Sequence, residues 1–321
     1  MLVLNEADTR AALPWVPLIG AIETMFTADC VTPVRHHHAV EVPGEAAATM
    51  LLMPAWVPGT HMGVKILNLF PDNHRRALPT IIGTYLLYSG TTGEMLTMVD
   101  GGELTARRTA ATSALAARTL AREDARSMLM VGAGRLALNL MQAHATVRPL
   151  ERFAVWARDP DKAEACAAEA RALGLNAVAT ADLATAAGDA DIISCATLSS
   201  TPLIQGEWLR PGTHLDLVGA FKPDMRESDD ACIRRASVFV DTRAGALKEG
   251  GDVVQPLRSG VLTEDRVLAE LADLVGGRHG GRSRADEITL FKSVGAALED
   301  LAGAILAYER TAHGTTPETG A

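Results

Sequence analysis

"MLMVGAGRLALNLMQAHA", residues 128–145, joins an apolar run to Gly-x-Gly and then to apolar residues at helical spacing. The pattern predicts a strand, a tight turn and a helix, the opening of a βαβ unit. Gly132 permits the turn, and Gly134 lets the backbone approach a pyrophosphate at the helix N-terminus. Ala137, where a third glycine is usual, still allows close helix–strand packing. With Arg135 in the same turn, these four are the candidate residues for a dinucleotide. The next strand ends in "AVWARDP", residues 154–160. A carboxylate at such a strand end accepts from a ribose 2′-hydroxyl and repels a 2′-phosphate; Arg158 instead offers a permanently charged planar fork suited to phosphate. The expectation is NADP(H) in preference to NAD(H), and Asp159 beside it leaves NAD(H) open.

Outward from that turn, "SMLMVG", "RFAVWAR", "NAVAT", "DIISCAT", "THLDLVG" and "SVFVDT" read as strands, with helices such as "DKAEACAAEARALG" between several of them. Such alternation predicts a Rossmann-type, doubly wound parallel sheet covered on both faces. "GGRHGGRSRADE", residues 276–287, reads as a mobile loop before the last strand-like run. Towards the N-terminus the texture differs. Residues 10–26 carry apolar residues at helical spacing after Pro14 and predict an amphipathic helix, and "TMLLMPAW", "MGVKILNLF", "PTIIGTYLLYS" and "GEMLTMVDG" predict successive strands, with "SGTTGE" a hairpin turn. "GGELTARRTAATSALAARTLA" reads as a helix introduced by a Thr-containing cap region. The last helix, "SVGAALEDLAGAILAYERTA", is too apolar to stand free and is expected to pack on the first domain; the polar tail "HGTTPETGA" is expected to fray. The fold class is thus α/β with a second α+β domain: residues 1–124 with 295–321 form one domain and residues 125–294 the other.

The 321 residues carry 30 Lys and Arg against 39 Asp and Glu, a formal charge of −9. That balance argues against nucleic acid or an anionic membrane as partner. Four scattered cysteines without a C-x-x-C pair suggest neither a disulfide framework nor structural zinc. No run approaches the roughly 18 apolar residues of a membrane span, and the N-terminus lacks a basic leader region. A cytoplasmic protein is expected. "RHHH", residues 35–38, places adjacent histidines on a strand, where they face opposite ways without an acidic or cysteine partner at suitable spacing; no metal site is expected. The paired acids Glu299 and Asp300 read as part of a solvated or capping region.

"TPVRHHH", "GVKILNLFP", "LTARRTAATSALAARTLA", "GTHLDLVGAFKPDMRESD" and "ITLFKSVGAALEDLAGA" occur in this order around the glycine turn. Together, over nearly the whole chain, they resemble the ornithine cyclodeaminase/mu-crystallin family. The resemblance implies a homodimer of two-domain protomers, joined through the apolar strands between residues 48 and 99. It also implies that Arg35 and Arg108 grip a substrate carboxylate, with Arg108 chosen over Arg107 by the resemblance alone. Lys65 matches the family's active-site lysine, and burial would lower its pKa towards proton-transfer range. Thr80 matches a threonine beside the substrate. Thr109 is read at a helix start, where free N–H groups and a hydroxyl would meet cofactor phosphate.

One departure narrows the chemistry. Cyclodeaminases of the family carry an aspartate after the "VGG" segment, whereas this chain has "VGAF", with Phe221 at that place. Phenylalanine neither transfers a proton nor anchors an ammonium group, but it can wall a small apolar ring. The resemblance, closest to the family's bacterial ketimine reductases, therefore implies NAD(P)H-dependent reduction of a cyclic imino acid. Δ1-Pyrroline-2-carboxylate to L-proline comes first, with Δ1-piperideine-2-carboxylate to L-pipecolate beside it, and hydroxyproline catabolism is the expected setting. Ornithine cyclodeamination, amino-acid dehydrogenation and a non-enzymatic crystallin-like binding role are the alternatives.

Overall fold

The computed structural model describes residues 1–312, so the tail from His313 lies outside the described residues. The chain divides into two compact units, Met1–Arg108 with Ala297 onward, and Thr109–Ala296. The division falls inside the continuous helix Gly101–Leu120 rather than in the loop after it, where the sequence had suggested residue 124.

In the first unit, β1 (Leu2–Leu4), β2 (His36–Val40), β3 (Ala48–Val57), β4 (His61–Leu69), β5 (Ile81–Ser89) and β6 (Met95–Asp100) form a sheet in the order β1-β6-β5-β4-β3-β2. β1 runs parallel to β6, and the remaining pairs are antiparallel. The register sets Met53, Lys65, Tyr85 and Val99 side by side. That face is covered by the helix Ala297–Ala312, which also packs on the helix Trp15–Thr27. Its apolar face has found the cover expected of it. Because side chains alternate along a strand, Pro54, Val64, Leu86 and Met98 lie in register on the opposite face, where they are only half-buried.

The second unit holds β7 (Ser127–Val131), β8 (Arg152–Trp156), β9 (Ala177–Ala179), β10 (Ile192–Cys195), β11 (His214–Leu217), β12 (Ser237–Val240), β13 (Val267–Glu270) and β14 (Thr289–Lys292). All pair in parallel, in the order β13-β12-β14-β11-β10-β7-β8-β9. Leu129, Val131, Ile193, Leu215, Leu217, Val238 and Leu290 build its core. Strand order reverses between β7 and β10, the switch point at which open α/β sheets take their ligands, outside the strands' carboxyl ends.

Several local expectations are corrected. The helix expected after Pro14 runs Trp15–Thr27, but a helix that was not anticipated, Glu6–Ala12, precedes it; Pro14, with φ/ψ of −64°/151°, separates the two because it disfavours helical backbone at the residue before it. The long helix is capped by Asp100, whose Oδ1 accepts from the Glu103 N–H at 2.7 Å, and Thr105 lies inside it. The glycine-rich segment 276–287 is not a free loop. Arg282 donates to the Leu120 carbonyl (2.8 Å), the Gly212 carbonyl (3.1 Å) and Thr289 Oγ1 (3.1 Å), and also to the Glu287 carbonyl. β1 and β13 were not anticipated. Among the described residues, no helix is long and apolar enough to cross a membrane.

Candidate active site

Lys65 sits in mid-β4 and is 1% exposed. An ammonium so buried is costly without a counter-charge, and the counter-charge comes from Asp300, whose Oδ2 lies 2.6 Å from Nζ. The contact is an ion pair rather than an aligned hydrogen bond. Burial is the largest influence on the lysine and lowers its pKa to about 8; Asp300 pulls it up, while Arg108 and Arg35 push it down. Arg108 donates through Nε to Asp300 Oδ1 (2.9 Å) and through Nη1 to Glu299 Oε2 (2.6 Å). Burial opposes its charge, but Asp300 and Glu299 outweigh that and raise its pKa. Burial likewise works to raise the Asp300 pKa, and the two cations hold it below the usual carboxylate range. Tyr85, the cross-strand neighbour of Lys65, keeps a buried phenol whose pKa is driven up by burial and by Asp300.

Arg107 belongs to a different arrangement. A turn of about 100° per residue carries it away from Arg108. Its guanidinium stacks 4.0 Å from the Trp15 ring, and its Nε donates to the Leu13 carbonyl at 2.8 Å. Arg108, not Arg107, is the arginine that shares Asp300 with Lys65.

Glu299 and Asp300 overturn the reading of a solvated acidic pair. They do occupy the first turn of the last helix, where the macrodipole favours carboxylates, but both are 0% exposed and bonded to cations. A signal was present. Asp300, Ala304 and Ala307 fall at i, i+4 and i+7, on the buried stripe of an otherwise apolar helix.

Arg35 precedes β2, half-buried, and its charge reaches Lys65. Thr80 is exposed just before β5, its carbonyl accepting from the Phe70 N–H at 2.9 Å. His36, His37 and His38 are exposed on β2, the first and third with ring centroids 6.3 Å apart. Among the described residues, no group of three or more His, Cys, Asp or Glu side chains is arranged to hold a metal ion.

The remaining candidates lie in the second unit. Gly132 has φ +112°, its N–H donates to the Trp156 carbonyl (2.8 Å), and a Cβ there would come within 2.8 Å of the Ala196 carbonyl oxygen. Only glycine fits. Gly134 is exposed, with open space where a Cβ would stand, and no side chain caps the helix Ala137–Val147 that follows. Ala137 is buried at its start, and Arg135 is exposed in the turn. The turn thus leaves its backbone open at the helix N-terminus. Arg158 is exposed at the end of β8; Asp159 beside it is committed as a helix N-cap, accepting from the Asp161 N–H at 3.1 Å. Thr109 is not at a helix start. The helix begins at Gly101, so the Thr109 N–H is spent in the third turn and only its hydroxyl is left for a ligand. Phe221 is half-buried in the loop after β11.

The family model of the ornithine cyclodeaminase/mu-crystallin family matches residues 2–315. The Δ1-pyrroline-2-carboxylate reductase of Paracoccus denitrificans is 44% identical over 301 residues, covering 93% of each chain. Among solved structures, the Thermococcus litoralis Δ1-pyrroline-2-carboxylate reductase in complex with NADH and L-proline aligns with TM-score 0.91 at 34% identity, over 98% of this chain and 99% of that one. The iminosuccinate reductase of Paracoccus denitrificans in complex with NAD+ aligns with TM-score 0.87 at 29% identity, over 98% of this chain and 97% of that one. With the family model matching residues 2–315 and relatives at 44% and 34% identity over nearly the whole chain, this chain belongs to the ornithine cyclodeaminase/mu-crystallin family.

Proposed function

We propose that the protein reduces a cyclic imino acid with a nicotinamide cofactor: Δ1-pyrroline-2-carboxylate to L-proline, and Δ1-piperideine-2-carboxylate to L-pipecolate as its six-membered counterpart. The observation that carries this reading is the buried Lys65–Asp300–Arg108 array, with the lysine pKa at about 8. Two of the similar proteins are reductases whose names or bound ligands point to the same pair, the cyclic imine and proline. When bound, the reduced nicotinamide supplies a hydride to the imine carbon. Arg108 and Arg35 hold the substrate carboxylate in a guanidinium clamp. The Lys65 ammonium gives its proton to the ring nitrogen, so the C=N bond gains one hydride and one proton. Thr80 borders the substrate, and Phe221 walls its methylenes in place of an acid that would manage a side-chain amine.

Gly132, Gly134, Arg135 and Ala137 form the pyrophosphate turn, the Thr109 hydroxyl adds a phosphate contact, and Arg158 takes a 2′-phosphate. NADPH is thus preferred over NADH. The unit Met1–Arg108 with Ala297 onward binds substrate and pairs with a second copy, and Thr109–Ala296 binds the dinucleotide. The half-buried apolar face bearing Pro54, Val64, Leu86 and Met98 supports a two-fold homodimer; a monomer at micromolar concentration in sedimentation would count against it. Four free cysteines suit a reducing, cytoplasmic setting, with hydroxyproline catabolism as the pathway.

The test is a screen of five- and six-membered cyclic imino acids with NADPH and NADH, beside L-ornithine with catalytic NAD+. Imine-dependent oxidation of the cofactor is expected, without ammonia release from ornithine. Ornithine turnover at a comparable rate would make the protein a cyclodeaminase. In the same screen Arg158→Ala should raise the Kd of NADPH by about tenfold or more, the loss of a charge-assisted phosphate bond, and leave NADH nearly unchanged. Equal losses for both cofactors would remove the 2′-phosphate role.

A further inference from the structure

The loops that leave the carboxyl ends of β10 and β11 are bonded by one buried side chain. Glu227, the glutamate of "VGAFKPDMRESD", is 0% exposed. Its Oε1 accepts from the backbone N–H (2.6 Å) and hydroxyl (2.8 Å) of Thr197, and its Oε2 from the N–H groups of Gly219 (2.8 Å) and Ala220 (3.2 Å). The two loops touch closely. A Cβ on Gly219 would lie 1.9 Å from the Thr197 carbonyl oxygen and 2.5 Å from Glu227 Oε1.

Glu227 is itself braced from behind. Asp252 Oδ1 accepts from the N–H groups of Glu227 and Ser228, each at 2.9 Å, and Lys292 Nζ, at the end of β14, lies 3.5 Å from Asp252 Oδ2. Burial is the main influence on the Glu227 carboxyl and pushes its pKa up to about 7. A buried acid held against such a cost is poor value for stability alone, because apolar packing would serve as well. What it provides is definition at one place. Gly132 packs on Ala196, Thr197 follows Ala196, and Glu227 binds Thr197 to the segment that ends in Phe221. The pyrophosphate turn and the Phe221 loop are thereby fixed to each other at the switch point of the sheet.

We propose that Glu227 is a positioning residue for hydride transfer: by clamping Thr197 to Gly219 and Ala220 it holds the lip of the dinucleotide crevice and the Phe221 loop in one arrangement. The inference rests on the reductase reading above. It differs from a purely structural role, which would lower stability without touching turnover by the folded protein.

Two variants test it. In Glu227→Gln the carboxamide NH2 must face donors on one side, so one of the two loops is released. Thr197→Val removes the hydroxyl's bond to Glu227, together with the weak bond it accepts from the Ser199 N–H (3.3 Å), and spares the backbone N–H bond of Thr197 to Glu227. In the cofactor-free protein, hydrogen exchange at the Thr197, Gly219 and Ala220 amides should speed up in Glu227→Gln, and less in Thr197→Val. With folded protein counted by NADPH titration, kcat for imine reduction should fall about 10- to 100-fold in Glu227→Gln, the scale of an ångström-level misplacement. The KM for NADPH should move much less than kcat, and Thr197→Val should follow in the same direction with a smaller loss. Faster exchange with unchanged kcat would overturn the proposal, as would unchanged exchange. Should Glu227→Gln fail to fold, Thr197→Val decides by the same two readouts. Wild-type protein that oxidises no cofactor with any imine would instead defeat the reductase reading, and the exchange result would still stand by itself.

Discussion

Replacing Lys65 with alanine is expected to lower kcat/KM for cyclic-imine reduction by about 10³-fold, within the range a positioned general acid contributes. NADPH affinity should stay near its wild-type value, because the lysine belongs to the Asp300–Arg108 array and not to the glycine turn. The wild-type pH profile carries the sharper signature. The donor must be the ammonium, and its pKa is lowered to about 8 by burial. kcat/KM should therefore hold below that value and fall above it, as Lys65 loses its proton. The alkaline limb should vanish in Lys65→Ala together with most of the rate. Asp300→Asn removes the carboxylate that pulls this pKa up, so its limb should shift to lower pH. Retention of the wild-type limb in both variants would show that another group delivers the proton.

The legible and illegible parts of this molecule differ in the range of the interactions behind them. The β7–turn–helix unit could be read because Gly132, Gly134 and Ala137 are consecutive choices, each answering to a local backbone need. The antiparallel strands β3 to β6 could be read from β-branched and apolar runs with Gly and Pro between them. β1 has three residues and β13 four, too short for a period to register. The 276–287 segment looked free because glycines dominate it, while its order comes from Arg282 reaching carbonyls remote in sequence. The site shows the same division. Lys65 and Arg108 stand out as charges in apolar or alanine-rich surroundings. Glu299 and Asp300 did not, because an acid pair at a helix start has an adequate local explanation. Only the fold brings Asp300 under Lys65. The mistake over Thr109 was one of register: Asp100 starts the helix two turns before the arginines, so the free N–H groups lie elsewhere.

Arg108→Ala is expected to be the most damaging single change, costing about 3–5 kcal/mol of stability by urea unfolding, the usual penalty for stranding one side of a buried ion pair. It should also leave imine reduction undetectable beside wild type, since the carboxylate clamp goes with it. Two carboxylates at 0% exposure now rely on this guanidinium, at 2.6 and 2.9 Å. Lys65 is paired with one of them, Asp300. In the wild type the Asp300 pKa is held below its ordinary value. Its share of stability is thus present above the unfolded-state pKa and lost as pH falls through the folded-state value. Without Arg108, the first of the influences that lower this pKa is gone and only Lys65 opposes burial, so the Asp300 pKa rises and its charged form stabilises the fold less. The stability deficit of Arg108→Ala should accordingly shrink between about pH 7 and about pH 5. Adding Glu299→Gln removes one of the two buried carboxylates that Arg108 had bonded and should recover part of the stability without recovering activity. A deficit that stays constant with pH, or a double variant no more stable than Arg108→Ala, would mean that the two acids are not held as carboxylates by Arg108.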